Sequence, residues 1–357
     1  MPDHLPDHQD VQGRSPIWRR AARIAVFGAW VGVVGLGLAL LFGLLYRTDP
    51  ASSGPLETRL VFLSLLIESF AFHAGIGVGV ACLGAVALRR RRLGVALALG
   101  AGLLLGPVAA SHVRPEGPAP GEGDLVVLSA NVLYTNEDPS GLIELVREVD
   151  PDVVLIQEYR SSWSEAVRRE LGEAYPHMVE RPMGGAYGEA VLSKRAFVGA
   201  PRFGPEGWGW ESPMLLVAIE HGGKRVEIGN VHLWAPLSWE AVAEQRRQVA
   251  MVGAWAGARM SGEDAPAALV LAGDFNAPYG TNHLRELRAA GLREAHREAG
   301  AGRGATWGPR RAPLSWAPGI RLDHVMVMGE AACTGAGVGP AIGSDHRAVW
   351  ARLRIGE

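Results

Sequence analysis

The chain has 357 residues, 48% of them hydrophobic, enough for a membrane region and one large globular domain. Its 47 glycines and 23 prolines follow no period, which excludes collagen-like and disordered classes, and two cysteines, Cys82 and Cys333, are too few for a cysteine zinc site. The net charge of -2 hides a split: residues 1–114 carry 11 of 35 basic and 6 of 37 acidic side chains, leaving 24 against 31 beyond.

Arg14, Arg19, Arg20 and Arg23 precede residues 24–46, an almost wholly apolar run. It is long enough for one span, since about 20 residues cross the hydrocarbon core. The 47–59 loop carries only Arg47 and Arg59, balanced by Asp49 and Glu57. Residues 60–88 form a second candidate span, interrupted by Glu68 and His73, and residues 93–110 a shorter third. Arg89 to Arg92 fill the turn between them. A cleaved signal peptide would account for the first run but for neither of the others. Positive flanks stay in the cytoplasm. The N-terminus and the four-arginine turn are therefore expected inside, and residue 111 onward outside the cytoplasmic membrane. Glu68 and His73 sit on partly different faces of a helix, which favours interhelical hydrogen bonding or a near-interface position over transport or catalysis. The expected organisation is a cytoplasmic tail over 1–23, a three-span anchor over 24–110, a linker over 111–123 and a globular domain over 124–357.

From residue 124 short apolar runs alternate with amphipathic stretches. Strands are expected over 124–130, 153–156, 189–192, 215–220, 226–231, 269–272, 322–328 and 348–353, and helices over 139–149, 239–260 and 281–290. Polar residues cluster at the strand ends: Asn131, Glu158, His232, Asp274, Asn276, Asp323, His324, Asp345 and His346. Many strands with few helices imply packed sheets flanked by helices.

Glu158 is an obligate anion at a strand end. Mg²⁺ prefers one or two carboxylates plus water and substrate oxygens, a demand met by Glu158 as principal ligand with Asn131 and Asp345 in support. Taken singly, Asn131 could equally form a turn before Thr135-Asn136-Glu137-Asp138. A carboxylate on the far imidazole nitrogen of His346 would fix its tautomer and raise its basicity. His324, next to Asp323, is expected on the opposite face of its strand, in a structural or supporting position.

The ordered set Ser129-Ala130-Asn131-Val132, Ile156-Gln157-Glu158, Gly188-Glu189-Ala190-Val191-Leu192-Ser193, Asn230-Val231-His232-Leu233, Gly273-Asp274-Phe275-Asn276, Leu322-Asp323-His324 and Ser344-Asp345-His346 resembles the endonuclease/exonuclease/phosphatase superfamily over about residues 124–355. The resemblance implies a deoxyribonuclease-I-like fold, a four-layer αββα sandwich, here an α/β domain preceded by three transmembrane helices. It implies that Asp274 orients or deprotonates the attacking water and that Asn276 helps to hold the phosphate. It further implies that Asp323 orients His346, which acts as base or as a charged phosphate contact. His232 is similar to the histidine carried by deoxyribonuclease-I-like nucleases, sphingomyelinases and inositol-phosphate phosphatases, and a general acid is its expected role.

The functional expectation is a membrane-anchored, extracytoplasmic phosphoester hydrolase that uses Mg²⁺ or Mn²⁺ and an activated water, since no Ser or Cys nucleophile stands out. Membrane tethering favours a lipid-linked or small phosphorylated substrate. Nucleic acid is disfavoured because nonspecific binders need a basic surface and this domain is acidic. Two alternatives stay open: an extracytoplasmic nuclease and a non-catalytic membrane scaffold on the same fold. No obligate protein partner is evident. Trp208, Trp210, Trp234, Trp239, Trp307 and Trp316 crowd the expected loops, as cover over the core or as a ligand-lining or membrane-facing belt.

Overall fold

The computed structural model describes residues 16–45, 54–113, 117–204, 214–308 and 318–356. Arg14, most of the loop after the first apolar run, Trp208, Trp210 and Trp316 lie outside the described residues. Four helices come first: α1 (Pro16–Leu45), α2 (Pro55–Ser69), α3 (Ala71–Ala87) and α4 (Arg91–Ser111). Among the described residues, α4 alone is long and apolar enough to cross a bilayer by itself. The run expected as one second span is two helices, α2 and α3, broken at Phe70 and bent by 62°.

Packing explains that break. No proline or glycine interrupts Ser69 to Ala74, yet the two halves have different partners. On α2, Val61 and Leu65 join a core cluster shared with the later sheets, and Arg59 stacks 4.7 Å from the Trp239 ring centroid. The Glu68 carboxylate accepts from the Asn282 backbone N–H at 2.8 Å and from its Nδ2 at 3.0 Å. By contrast, α3 pairs with α4 around Ala85, Leu93 and Leu97, with Val26 of α1 against them. The Arg89 backbone adopts a positive φ of 57° in the tight turn between α3 and α4.

The remainder builds two six-stranded sheets. The chain runs β1 (Leu125–Asn131), α5 (Ser140–Val149), β2 (Val153–Gln157), α6 (Ser161–Leu171), β3 (His177–Arg181), β4 (Glu189–Ser193) and β5 (Arg202–Gly204). It continues through β6 (Met214–His221), β7 (Lys224–His232), α7 (Trp239–Ser261), β8 (Ala268–Asp274), α8 (Arg285–Ala289), β9 (Arg293–Glu294) and α9 (Ala295–Ala299). It closes with β10 (Asp323–Gly329), β11 (Ala331–Ala341) and β12 (Arg347–Ile355). Strand order is β11-β12-β1-β2-β4-β3 in one sheet and β5-β6-β7-β8-β10-β9 in the other.

Strand alternation supplies the layers. Leu125 and Val127 of β1 face Val217, Ile228 and Val270 of the other sheet in one inter-sheet core. Leu128 and Ala130 point the other way, onto Leu142 and Val146 of α5 and Trp163 of α6. On the far side, Leu269 and Leu271 of β8 pack on Val249 and Val252 of α7. Helices therefore cover the outer face of each sheet, giving a mixed α/β two-sheet sandwich, the layering that the resemblance implies. The central strands β1, β2, β4 and β8 are buried on both faces and read as nearly continuous apolar runs, whereas β3, β5 and β12 are partly exposed.

Candidate active site

Topology gathers the polar strand ends. β1 and β2 are parallel, as are β7 and β8, so Asn131, Gln157, His232 and Asp274 all stand at C-terminal strand ends. β10 runs antiparallel to β8 and β12 antiparallel to β1. These two strands present their starts at the same edge, which brings in Asp323 directly and His346 one residue before β12. In register, His232 and Asp323 both lie opposite Asp274.

Beneath this edge a polar bridge ties the sheets together. The buried Gln157 Nε2 donates to Asn230 Oδ1 at 2.5 Å and to Ser129 Oγ at 2.9 Å, and Asn230 Nδ2 donates to the Ile156 carbonyl at 2.8 Å. These bonds between buried amides fix the spacing between the two halves of the site, although Gln157 Oε1 itself has no partner among the described residues. Close approach also requires Gly273, whose φ is 154°; a Cβ there would stand 1.8 Å from the Val231 carbonyl oxygen.

One carboxylate oxygen is the hub. Asp274 Oδ2 accepts from Asn131 Nδ2 at 3.0 Å and from Asn276 Nδ2 at 3.2 Å. It also lies 3.7 Å from His346 Nε2 and 3.8 Å from His232 Nε2. The other oxygen, Oδ1, accepts from the Asn276 backbone N–H at 2.8 Å. Asn276 holds this turn at φ 51°, and Glu158 sits at φ 61°, left-handed conformations that ordinary side chains avoid and that collect at functional sites. Asn276 Nδ2 also donates to the Leu233 carbonyl at 2.9 Å, which locks its side chain.

Asn131 links this hub to Glu158. Its Nδ2 donates to Glu158 Oε1 at 3.0 Å, and the Tyr134 backbone N–H reaches Glu158 Oε2 at 2.8 Å. Ser344 Oγ donates to the Asn131 carbonyl at 2.6 Å, joining the β12 approach to β1. Asp345 is tied differently: its Oδ2 accepts from Trp307 Nε1 at 3.1 Å, and no bond joins it to Asn131 or Glu158 among the described residues. Trp307 was expected only as a loop aromatic; 38 residues separate it from Asp345, a pairing with no local signal.

His346 Nδ1 bonds Asp323 Oδ2 at 2.8 Å, which leaves Nε2 facing Asp274. Burial disfavours the imidazolium, but the carboxylates of Asp323 and Asp274 outweigh it and push the His346 pKa up to about 10. Burial likewise pushes Asp274 upward, opposed by His346 and His232. The place of His346 between two carboxylates favours the charged imidazole. His324 turns away from the site. Fully buried, it contacts the Ala277 carbonyl through Nε2 at 3.0 Å and stacks edge-on against Phe275. Near the mouth, the Tyr187 ring lies 6.4 Å from His232 and 6.1 Å from Trp234.

The sequence profile of the Endonuclease/Exonuclease/phosphatase family matches residues 128–346, more than half of the chain. The chain belongs to this family. Its members are metal-dependent phosphoester hydrolases, and the site described above lies within the matched segment. Among curated proteins no sequence matches. Solved structures share the fold: the endonuclease/exonuclease/phosphatase from Bacteroides vulgatus matches with TM-score 0.54 and 16% identity over 65% of this chain and 99% of that one. A humanized D. rerio TDP2 matches with TM-score 0.53 and 16% identity, over 65% of this chain and 100% of its own. The 3' phosphatase NExo from Neisseria, bound to product DNA hairpin, gives 0.52 and 19%, over 65% and 100%.

Two groups could hold a cation. Asp274, Asp323 and His346 bring ligand atoms within 4.8 Å of one another. In this group, however, His346 Nδ1 is already committed to Asp323. The second group is Glu158 with Asn131. Here an amide NH₂ lies between the carboxylates of Glu158 and Asp274, supplying the positive charge density that two neighbouring anions require. The Glu158 carboxylate suits a hard divalent ion, whereas Asn131 Oδ1 accepts from the Leu133 backbone N–H at 3.0 Å, so Asn131 would join as a ligand only by turning its amide.

Proposed function

We propose that the chain is anchored in the cytoplasmic membrane with its sheets outside, and that it hydrolyses a lipid-linked or small phosphorylated substrate using Mg²⁺ or Mn²⁺ and an activated water. Glu158, with Asn131 and Asp345, would hold the cation, which when bound neutralises charge on the phosphoryl group. The convergence of four side chains on Asp274 Oδ2 carries the chemical part of this reading. Asp274, fixed by the Asn276 backbone, orients the water and takes up its proton. His346, charged and aligned by Asp323, offers Nε2–H to the phosphoryl oxygens. His232, on the opposite side of Asp274, donates a proton to the leaving oxygen.

The membrane part is supported by the surface of the α3–α4 hairpin. Ile76, Val80, Leu83, Val95, Leu99 and Leu103 are exposed on it, six large apolar side chains that lipid would cover. Arg89 to Arg92 cap one end of the hairpin, while His73 and Ser111 touch the sheets at the other, through contacts to Pro318 and Gly302. In this arrangement α1 and the α3–α4 hairpin lie in the bilayer, with α3 as the shorter arm beside α4, and α2 lies outside it against α7 and the 282–284 turn. A reporter active only outside the membrane, fused to the C-terminus, is expected to be active. Silence, with an active cytoplasmic reporter in its place, would reverse the topology.

Substrate class is tested by offering the full-length protein a polyprenyl pyrophosphate, phospholipid vesicles, small phosphoesters and plasmid DNA at low salt. Turnover of a lipid-borne or small phosphoester, at rates well above DNA cleavage, is the expected result. Preferential degradation of DNA would instead favour the nuclease reading.

A further inference from the structure

A cavity of about 460 Å³ lies where the helical hairpin meets the sheets, apart from the Asp274 hub. Pro107, Val108 and Val113, in and just beyond α4, form its apolar side, and Tyr279, Arg297 and Arg303 its polar side. The arginines are not equivalent. Arg321, also on the wall, is spent on Glu294, with two bonds to Oε1 at 3.1 and 2.7 Å. Arg303 lies 3.7 Å from the Phe72 ring centroid and donates to the Gly319 carbonyl at 2.6 Å. Arg297 packs 5.6 Å from the Tyr279 ring centroid. Neither Arg297 nor Arg303 forms an ion pair among the described residues. Glu294, the carboxylate on this wall, is taken up by Arg321 and the Arg297 backbone N–H, so two guanidinium groups held on aromatic rings face a half-apolar cavity without a carboxylate in ion-pair contact.

The position of the cavity specifies the ligand further. The 21 residues of α4 span about 31 Å, close to the roughly 30 Å hydrocarbon core. With the exposed apolar face of the hairpin in lipid, Ser111 and the cavity stand at headgroup level. We propose that this cavity binds the phosphate of a membrane lipid headgroup between Arg297 and Arg303, with the lipid chain along the α4 wall. Guanidinium groups suit phosphate oxygens, and the apolar wall suits an acyl chain. This inference rests on the membrane placement proposed above, but it concerns a site separate from the one that hydrolyses.

Native mass spectrometry of the full-length protein in micelles tests it, with dioleoyl phosphatidylglycerol, dioleoylglycerol and inorganic phosphate as separate probes. One phosphatidylglycerol per chain should be retained, dioleoylglycerol should not, and millimolar phosphate should not displace the lipid. Arg297→Gln with Arg303→Gln should weaken lipid retention about tenfold or more, the loss of two charge-assisted contacts. The corresponding pair of Lys substitutions should largely restore it, which separates charge from folding. Hydrolysis of a soluble phosphoester by the Gln pair should stay near wild type, so the site is read independently of the proposed activity and topology. Equal lipid retention by wild type and the Gln pair would overturn the proposal. So would tight binding of inorganic phosphate that excludes the lipid, since the site would then serve a soluble anion.

Discussion

Glu158→Gln is expected to abolish metal-dependent turnover while the protein stays folded. Glu158 is half-buried and, among the described residues, accepts two bonds, from Asn131 Nδ2 and the Tyr134 backbone N–H. An isosteric amide keeps one acceptor and the shape of the turn at φ 61°. What it removes is the anionic charge that would hold the cation. We expect a loss of at least about a thousandfold in turnover, roughly 4 kcal/mol of transition-state stabilisation. Steady-state rates beside circular dichroism spectra check both halves. Wild-type turnover in the folded variant would remove Glu158 from the metal site.

The second large effect is expected at His346. His346→Ala should lower turnover by two to four orders of magnitude, about the range for a preorganised proton-transfer or charge-stabilising group. Its imidazole lies between Asp323 and Asp274, so its loss leaves two buried carboxylates facing each other across the space it filled. Asp323→Asn should be milder but in the same direction, because it releases Nδ1 and lets the ring turn. His324→Ala should cost least in turnover per folded molecule, since that ring is bonded to the Ala277 carbonyl behind the site. It should instead lower the melting temperature. The order of rate loss is thus His346, Asp323, His324. An inactive His324→Ala beside an active His346→Ala would reverse the roles of the two histidines.

Much of the site was legible because polar residues close short apolar runs. Asn131 ends β1, His232 ends β7 and Asp274 ends β8, and Glu158 follows β2 by one residue. Two-residue periodicity further separates Asp323 from His324 on β10, one toward His346 and the other toward Phe275. Other elements carried weak signals. β11, with glycine at 335, 337 and 339 and Pro340, has poor strand propensity and is held by pairing with β12. The segment expected as a helix over 281–290 starts with a 3₁₀ turn, because Asn282 turns toward Glu68 of α2. No period in residues 60–88 reveals their division. It arises because Val61 and Leu65 find a partner in the helical layer of α7 and the 282–284 turn while α3 finds α4. The Trp307 bond to Asp345 is likewise tertiary, and nothing local announces it.

The central claim is hydrolysis by water at a cation-dependent centre built around Glu158 and Asp274. It is tested most directly by turnover of an accepted phosphoester in ¹⁸O-labelled water, after chelation and after adding back Mg²⁺ or Mn²⁺. The account predicts that chelation reduces the rate to background, that either ion restores it, and that one ¹⁸O enters the phosphoryl product per bond cleaved. An unchanged rate after chelation, or label found in the alcohol product, would contradict it.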